Sequence, residues 1–256
     1  MIISKLRVKY FNLLHWHPLK KDLERVDGLV RRQIDRGYDL YEHIDKHEKD
    51  QLVELKNRLV SYLVQKDRLL GYRKTRDEIK IKWESYIHKL YVKPEVFKDK
   101  SILDVGSGHS GALHDSRGSE IVNVDPLMSV YKRYVKGFPR LLPNIQFIKA
   151  PAECLPFKNS RFDIVVCVNA LDHFDDCLQA VKEMERVLKQ SGLLFVNVDC
   201  KDRRQDRVEK QIGHPYRFTL EKLRDLFRYT KLDVVFENEV TASRNVTMHF
   251  KKSSKN

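Results

Sequence analysis

Residues 102–113, ILDVGSGHSGAL, read as a buried strand that runs into a glycine-rich turn and then into a helix start. Ile102, Leu103 and Val105 make an apolar run suited to a strand covered on both faces. Gly106 and Gly108 permit torsions and close approaches that a side chain blocks. Asp104 adds a carboxylate at the end of the strand, where open α/β sheets place their ligands. The stretch predicts a cofactor pocket at a sheet edge.

The turn by itself does not name the ligand. A phosphate loop of the Walker type is excluded, because no Gly-Lys-Ser/Thr follows. Gly111 lies three residues after Gly108, so the spacing of a dinucleotide fingerprint is not rejected. Asp104 discriminates, since a carboxylate repels a pyrophosphate and suits a cationic or hydroxylated ligand.

Working outward, the chain after Pro94 alternates strand-like and helix-like segments. Strands are predicted at 101–105, 120–124, 145–149, 162–168 and 193–198. Helices are predicted at about 109–116, 127–136, 175–190 and 219–229. Two β-rich runs, 232–240 and 245–251, follow and are joined by a turn at Thr241-Ala242-Ser243. The architecture expected is a parallel α/β sheet that ends in an antiparallel hairpin. The second strand ends at Asp125, before Pro126, where a carboxylate can accept both hydroxyls of a ribose or simply cap a turn.

Five motifs occur in order: ILDVGSGHSG, IVNVDP, PAECLPF, FDIVVCVNALDHF and MERVLKQSGLLFVNV. Together they resemble the class I S-adenosylmethionine-dependent methyltransferases, in the style of the small-molecule enzymes of ubiquinone and menaquinone biosynthesis. The resemblance covers residues 94–256 and implies a Rossmann-like, seven-stranded, mostly parallel sheet. It also implies S-adenosylmethionine as cofactor. Asp104 would lie near the methionine amino group, with the backbone of Gly106, Ser107 and Gly108 against it. Asp125, followed by Pro126, would hold the ribose. Ala152 would offer its N–H to the adenine, Glu153 would cap the exocyclic amine, and Asn169 would face the methionine portion. Ser110, where the family often has a glycine, and Pro151, where it often has an acid, depart from the pattern.

Methyl transfer is an in-line displacement that often uses a base. His173, beside Asp172 after the fourth strand, is one candidate, and the structural alternative is a pair that starts the next helix. A second group is the loop Gly213-His214-Pro215-Tyr216-Arg217-Phe218. There His214 and Tyr216 suit a base and a hydrogen-bonding phenol, and Arg217 suits an anionic substrate. The alternative is a turn into a helix capped by Thr219. The fourth strand ends in Asn-Ala-Leu-Asp and not in an Asp/Asn-Pro-Pro-aromatic tetrad, which argues against methylation of exocyclic base nitrogens. No Pro-Cys nucleophile stands there either.

The remaining residues, 1–93, are expected to form a helical extension: a lid, a substrate-side element or an oligomer surface. No proline falls between Asp22 and Leu70, and Leu52, Leu55, Leu59 and Tyr62 recur at helical spacing. A second helix, from about Thr75 to Tyr91, is predicted to bury Ile79, Trp83, Tyr86, Ile87 and Leu90, with Pro94 beyond its end. The chain of 256 residues carries a net charge of +13. Residues 1–100 hold 24 Lys and Arg against 16 Asp and Glu, and the rest hold 25 against 20. A basic helical face can grip RNA phosphates, so an RNA acceptor stands as the alternative to a small-molecule acceptor. A cofactor-binding interaction protein without turnover is a further alternative. His15-Trp16-His17 lacks a completing ligand, so no metal is expected. The four cysteines form no CxxC pair, no signal-peptide core opens the chain, and no apolar run spans a membrane. These features lead to the expectation of a cytoplasmic protein.

Overall fold

The computed structural model describes residues 75–200, 218–238 and 245–253. All of them belong to the unit that runs from Tyr62 to Asn256. The helix expected within 22–70, the loop 213–217 and the turn 241–243 lie outside the described residues.

Seven strands form one sheet in the order β3-β2-β1-β4-β5-β7-β6. They are β1 (Ser101–Val105), β2 (Glu120–Val124), β3 (Ile145–Ile148), β4 (Phe162–Val168), β5 (Leu188–Asp199), β6 (Leu232–Glu237) and β7 (Asn245–Lys252). The first five are parallel to one another, and β7 runs antiparallel between β5 and β6. This is the expected mostly parallel sheet with its antiparallel end. The order reverses between β1 and β4, and a ligand crevice opens at the carboxyl ends of strands at such a switch point.

Alternation along the strands gives each face its own core. Leu103, Val122, Val165 and Cys167 pack with residues of α3 (Cys177–Val187) and α4 (Leu220–Phe227), among them Met184, Leu223 and Phe227. On the other face Ile102, Ile121, Ile164 and Val166 pack with α1 (Arg76–Leu90) and α2 (Met128–Tyr134) through Ile79, Leu90, Met128 and Tyr131. Burial of each such apolar side chain stabilises the fold by about 1.5–3 kcal/mol relative to its exposure.

Helix α1 starts at a capping box. The Glu78 N–H donates to Thr75 Oγ1 (3.2 Å) and the Thr75 N–H donates to Glu78 Oε2 (2.9 Å). It buries Ile79, Tyr86 and Leu90, with Trp83 and Ile87 partly buried beside them. Its last carbonyls have no partners within the helix, and β7 supplies them: Thr247 Oγ1 donates to Lys89 O (2.7 Å) and His249 Nε2 to Leu90 O (2.6 Å). The boundary expected at residue 93 thus runs between α1 and the sheet on which α1 packs.

All four helices expected after Pro94 are shorter than expected, and two differ most. The stretch 109–116 holds only a 3₁₀ turn, Ala112–Asp115, because Gly111 enters the left-handed region at φ 60°. The helix expected at 175–190 stops at Val187, and Leu188 already pairs with Phe162 in β5.

Candidate functional site

The turn after β1 is fastened to β2. The N–H groups of Gly106 and Ser107 both donate to Val124 O, at 2.9 and 3.2 Å. Gly108 N–H then donates to Asp125 Oδ2 (2.9 Å), and Leu127 N–H donates to Asp125 Oδ1 (2.8 Å). A Cβ built on Gly106, whose φ is 71°, would stand 2.4 Å from the Ala170 Cβ, so this position admits only glycine. On Gly108 it would meet nothing nearer than the Tyr131 hydroxyl at 4.0 Å, so the backbone there faces open space.

Two carboxylates therefore stand at the ends of neighbouring strands. Asp104 pairs in register with Asn123, and Asp125 is the first residue beyond β2. Both side chains are buried. Burial pushes the Asp104 carboxyl up to about 8; the hydrogen bond from Tyr86 opposes this and the charge of Asp125 adds to it. Burial pushes Asp125 up to about 6, against the pull of the Leu127 and Gly108 N–H groups and of Tyr131. A buried carboxylate of this kind gains from a cation or from hydroxyl donors that enter with a ligand.

The segments after β3 and β4 complete the edge. Ala152 is buried, and Glu153 turns toward the start of α3, where its Oε1 accepts the N–H groups of Asp175 (2.8 Å) and Asp176 (3.2 Å). Glu153 thereby ties the loop after β3 to the loop after β4. Arg186 on α3 holds the same loop through Leu155 O (2.9 Å) and Phe157 O (2.7 Å), and Glu183 accepts the Leu155 N–H (2.8 Å). Asn169, exposed and at φ 52°, donates its N–H to Asn197 O (2.7 Å). Asp172 is buried and His173 exposed in a 3₁₀ turn, Leu171–His173. Helix α3 is capped by Asp176, whose side chain accepts the Gln179 N–H (2.9 Å), so the Asp172-His173 pair lies before the cap and apart from it. Pro126 is exposed at the end of β2. Thr219 caps α4, as its partial capping pattern implied. His214, Tyr216 and Arg217 lie outside the described residues.

Among the described residues no cluster of His, Cys, Asp and Glu is arranged to hold a metal, and no helix is long and apolar enough to cross a membrane. Tyr86, read from the sequence only as a buried helix residue, and Tyr131 reach Asp104 and Asp125, and neither was assigned to the site. A tyrosine at an otherwise buried helix position is the available signal, because its hydroxyl needs a partner.

Residues 103–196 match the family model described as a methyltransferase domain. The uncharacterised methyltransferase YcgJ of Bacillus subtilis is 32% identical over 129 residues, which is 48% of this chain and 48% of YcgJ. Its solved structure superposes with a TM-score of 0.53 at 18% identity, covering 69% of this chain and 100% of that one. The tRNA U34 carboxymethyltransferase of Campylobacter fetus is 27% identical over 119 residues, 45% of this chain and 42% of that protein. The ubiquinone/menaquinone biosynthesis C-methyltransferase UbiE of Hahella chejuensis is 45% identical over 53 residues, 21% of each chain. The chain is thus similar, over residues 103–196, to methyltransferases, and it shares their fold. It spans about half the length, or less, of these curated relatives.

The residues present fit the family's cofactor. The open space over Gly108 admits a ligand against the backbone. Asp125 keeps spare lone pairs for hydroxyls after accepting two N–H groups. Asp104 offers a buried carboxyl that an entering ammonium group would hold ionised.

Proposed function

We propose that this chain transfers the methyl group of S-adenosylmethionine to an oxygen or nitrogen nucleophile of a small molecule, such as a sugar or a lipid-linked or other metabolite. The observation that carries the reading is the pair of buried carboxylates, Asp104 and Asp125, at adjoining strand ends on either side of a turn whose Gly108 N–H is tied to Asp125. In this reading Asp125 holds the ribose hydroxyls and Asp104 the α-ammonium. The backbone of Gly106, Ser107 and Gly108 borders the methionine portion, Ala152 the adenine, and Asn169 the mouth of the site. Bound there, the cofactor supplies an electrophilic methyl carbon on a sulfonium. The protein's part is to align the acceptor opposite that sulfur and to take its proton, and His173, exposed on the turn after β4, stands on the same edge to do so. The four unpaired-by-motif cysteines and the lack of a long apolar run in the sequence support a cytoplasmic setting.

The small-molecule acceptor is supported by the Asn-Ala-Leu-Asp end of β4 and by the likeness to UbiE. An RNA acceptor is the second reading, favoured by the basic first hundred residues and by the likeness to the tRNA U34 carboxymethyltransferase. Incubation with methyl-labelled cofactor and fractionated cell extract decides between them. Label in the low-molecular-weight fraction is expected. Salt-sensitive labelling of RNA would replace the first reading by the second. Cofactor binding with no label in any fraction would leave a binding protein without turnover.

A further inference from the structure

Helix α1 lies outside the stretch that matches the family model, yet it sends a polar group into the site. The Tyr86 hydroxyl lies 3.3 Å from Oδ2 and 3.5 Å from Oδ1 of Asp104, and both residues are buried. A carboxylate oxygen accepts, so the phenol donates. Nearby in the turn, Ser110 Oγ donates to Ser107 O at 3.0 Å. Ser110 is the position at which the glycine turn departs from the family pattern.

Tyr86 is also held in place along its own helix. Thr247 and His249 of β7 fasten the Lys89 and Leu90 carbonyls one turn further on, and Thr247 Oγ1 accepts in turn from Asn197 Nδ2 (2.9 Å). The ring is packed in the core under β1, so the hydroxyl has a fixed origin from which to reach Asp104.

We infer that Tyr86 is a positioning residue that fixes the Asp104 carboxylate for the amino-acid end of the methyl donor, an inference that rests on the donor reading above. A hydrogen bond to a charged group is stronger than one between neutral groups, and its loss in a buried site leaves the carboxylate poorly held. The effect belongs to the amino-acid end alone. The adenosine end is served by Asp125 and by the loop after β3, which Tyr86 does not touch.

Two ligands separate these ends: S-adenosylhomocysteine, which carries the amino-acid portion, and 5′-methylthioadenosine, which lacks it. Calorimetry on the full chain is expected to show that Tyr86→Phe weakens S-adenosylhomocysteine about tenfold and changes 5′-methylthioadenosine by less than twofold. In an Asp104→Asn background, Tyr86→Phe should add nothing further. Equal affinity of Tyr86→Phe and the parent chain for S-adenosylhomocysteine would overturn the inference, and so would an equal loss for both ligands, which marks a merely structural role. A parent chain that binds neither ligand would instead remove the donor reading on which the inference rests.

Discussion

The backbone N–H of Gly108 donates to Oδ2 of Asp125 across 2.9 Å, so the carboxylate that ends β2 also holds the turn that ends β1. One side chain thereby fixes the geometry of two strand ends. Its other oxygen starts the segment into α2 through Leu127 N–H. The turn cap expected of Asp125 is in the structure, and its ribose role is a proposal.

Replacing Asp125 by Ala is expected to weaken S-adenosylhomocysteine by about 10- to 100-fold, the loss of one or two hydrogen bonds to a charged group. The fold should survive, because the Val124 carbonyl still fastens Gly106 and Ser107. Calorimetry measures the first effect and circular dichroism the second. Unchanged affinity would remove Asp125 from the ribose role.

A second expectation follows from the raised carboxyls. Asp104 goes from an ordinary value of 3.8 to about 8, and Asp125 from 3.8 to about 6. A group whose value is raised on folding binds its proton more tightly in the folded chain, so its stabilising contribution is full below about 4 and is lost as pH rises through the folded value. Without cofactor, the stability of the protein should therefore fall between pH 4 and 8 by way of these two groups. Asp104→Asn, which cannot ionise, should raise the melting temperature at pH 8 and leave it nearly unchanged at pH 4. The same substitution should weaken S-adenosylhomocysteine. Melting curves across this range test the point, and a variant that melts below the parent chain at pH 8 would contradict it.

Much of this was legible in the sequence because it is local. The strands at 101–105, 120–124 and 162–168 fall where expected, each a run of β-branched and apolar residues that only a doubly covered strand can bury. Asp104 and Asp125 could be picked out because strand ends of an α/β sheet are where ligands meet side chains. The misplaced helix at 109–116 failed on a tertiary contact: Gly111 holds φ 60° against Leu142, a residue some thirty positions away. Tyr86 was legible only as part of an apolar stripe, since nothing along the chain says that α1 crosses the end of β1. Glu153 was read toward the adenine, and the loop after β4 brings the Asp175 and Asp176 N–H groups to it.

The glycines of the turn separate stability from binding. Gly111→Ala places a Cβ 2.4 Å from Leu142 Cδ1 at a positive φ, so it should cost about 2–3 kcal/mol of stability through overpacking and backbone strain. Gly108→Ala meets open space and should cost only about 1–2 kcal/mol, the strain of a left-handed residue. Its methyl group projects where the proposed cofactor lies, so it should lose affinity for S-adenosylhomocysteine by more than tenfold. Denaturant titration and calorimetry on the two variants give opposite rankings in this account. The same ranking in both assays would mean that the space over Gly108 is not the ligand's.

His173 carries the remaining expectation. It is exposed on the 3₁₀ turn after β4, four residues beyond Asn169, so a substitution there removes no core packing. His173→Ala should therefore melt within a degree or two of the parent chain. It should also bind S-adenosylhomocysteine as the parent does, because the carboxylates and the glycine turn are untouched. If its imidazole takes the acceptor's proton, turnover with the acceptor found by labelling should fall about 100-fold, the usual contribution of a positioned base. A fall in kcat with an unchanged cofactor affinity assigns the residue to proton transfer. A rise in the acceptor KM with an unchanged kcat assigns it to acceptor binding. A parental rate moves the base elsewhere, and His214 is then the next residue to replace.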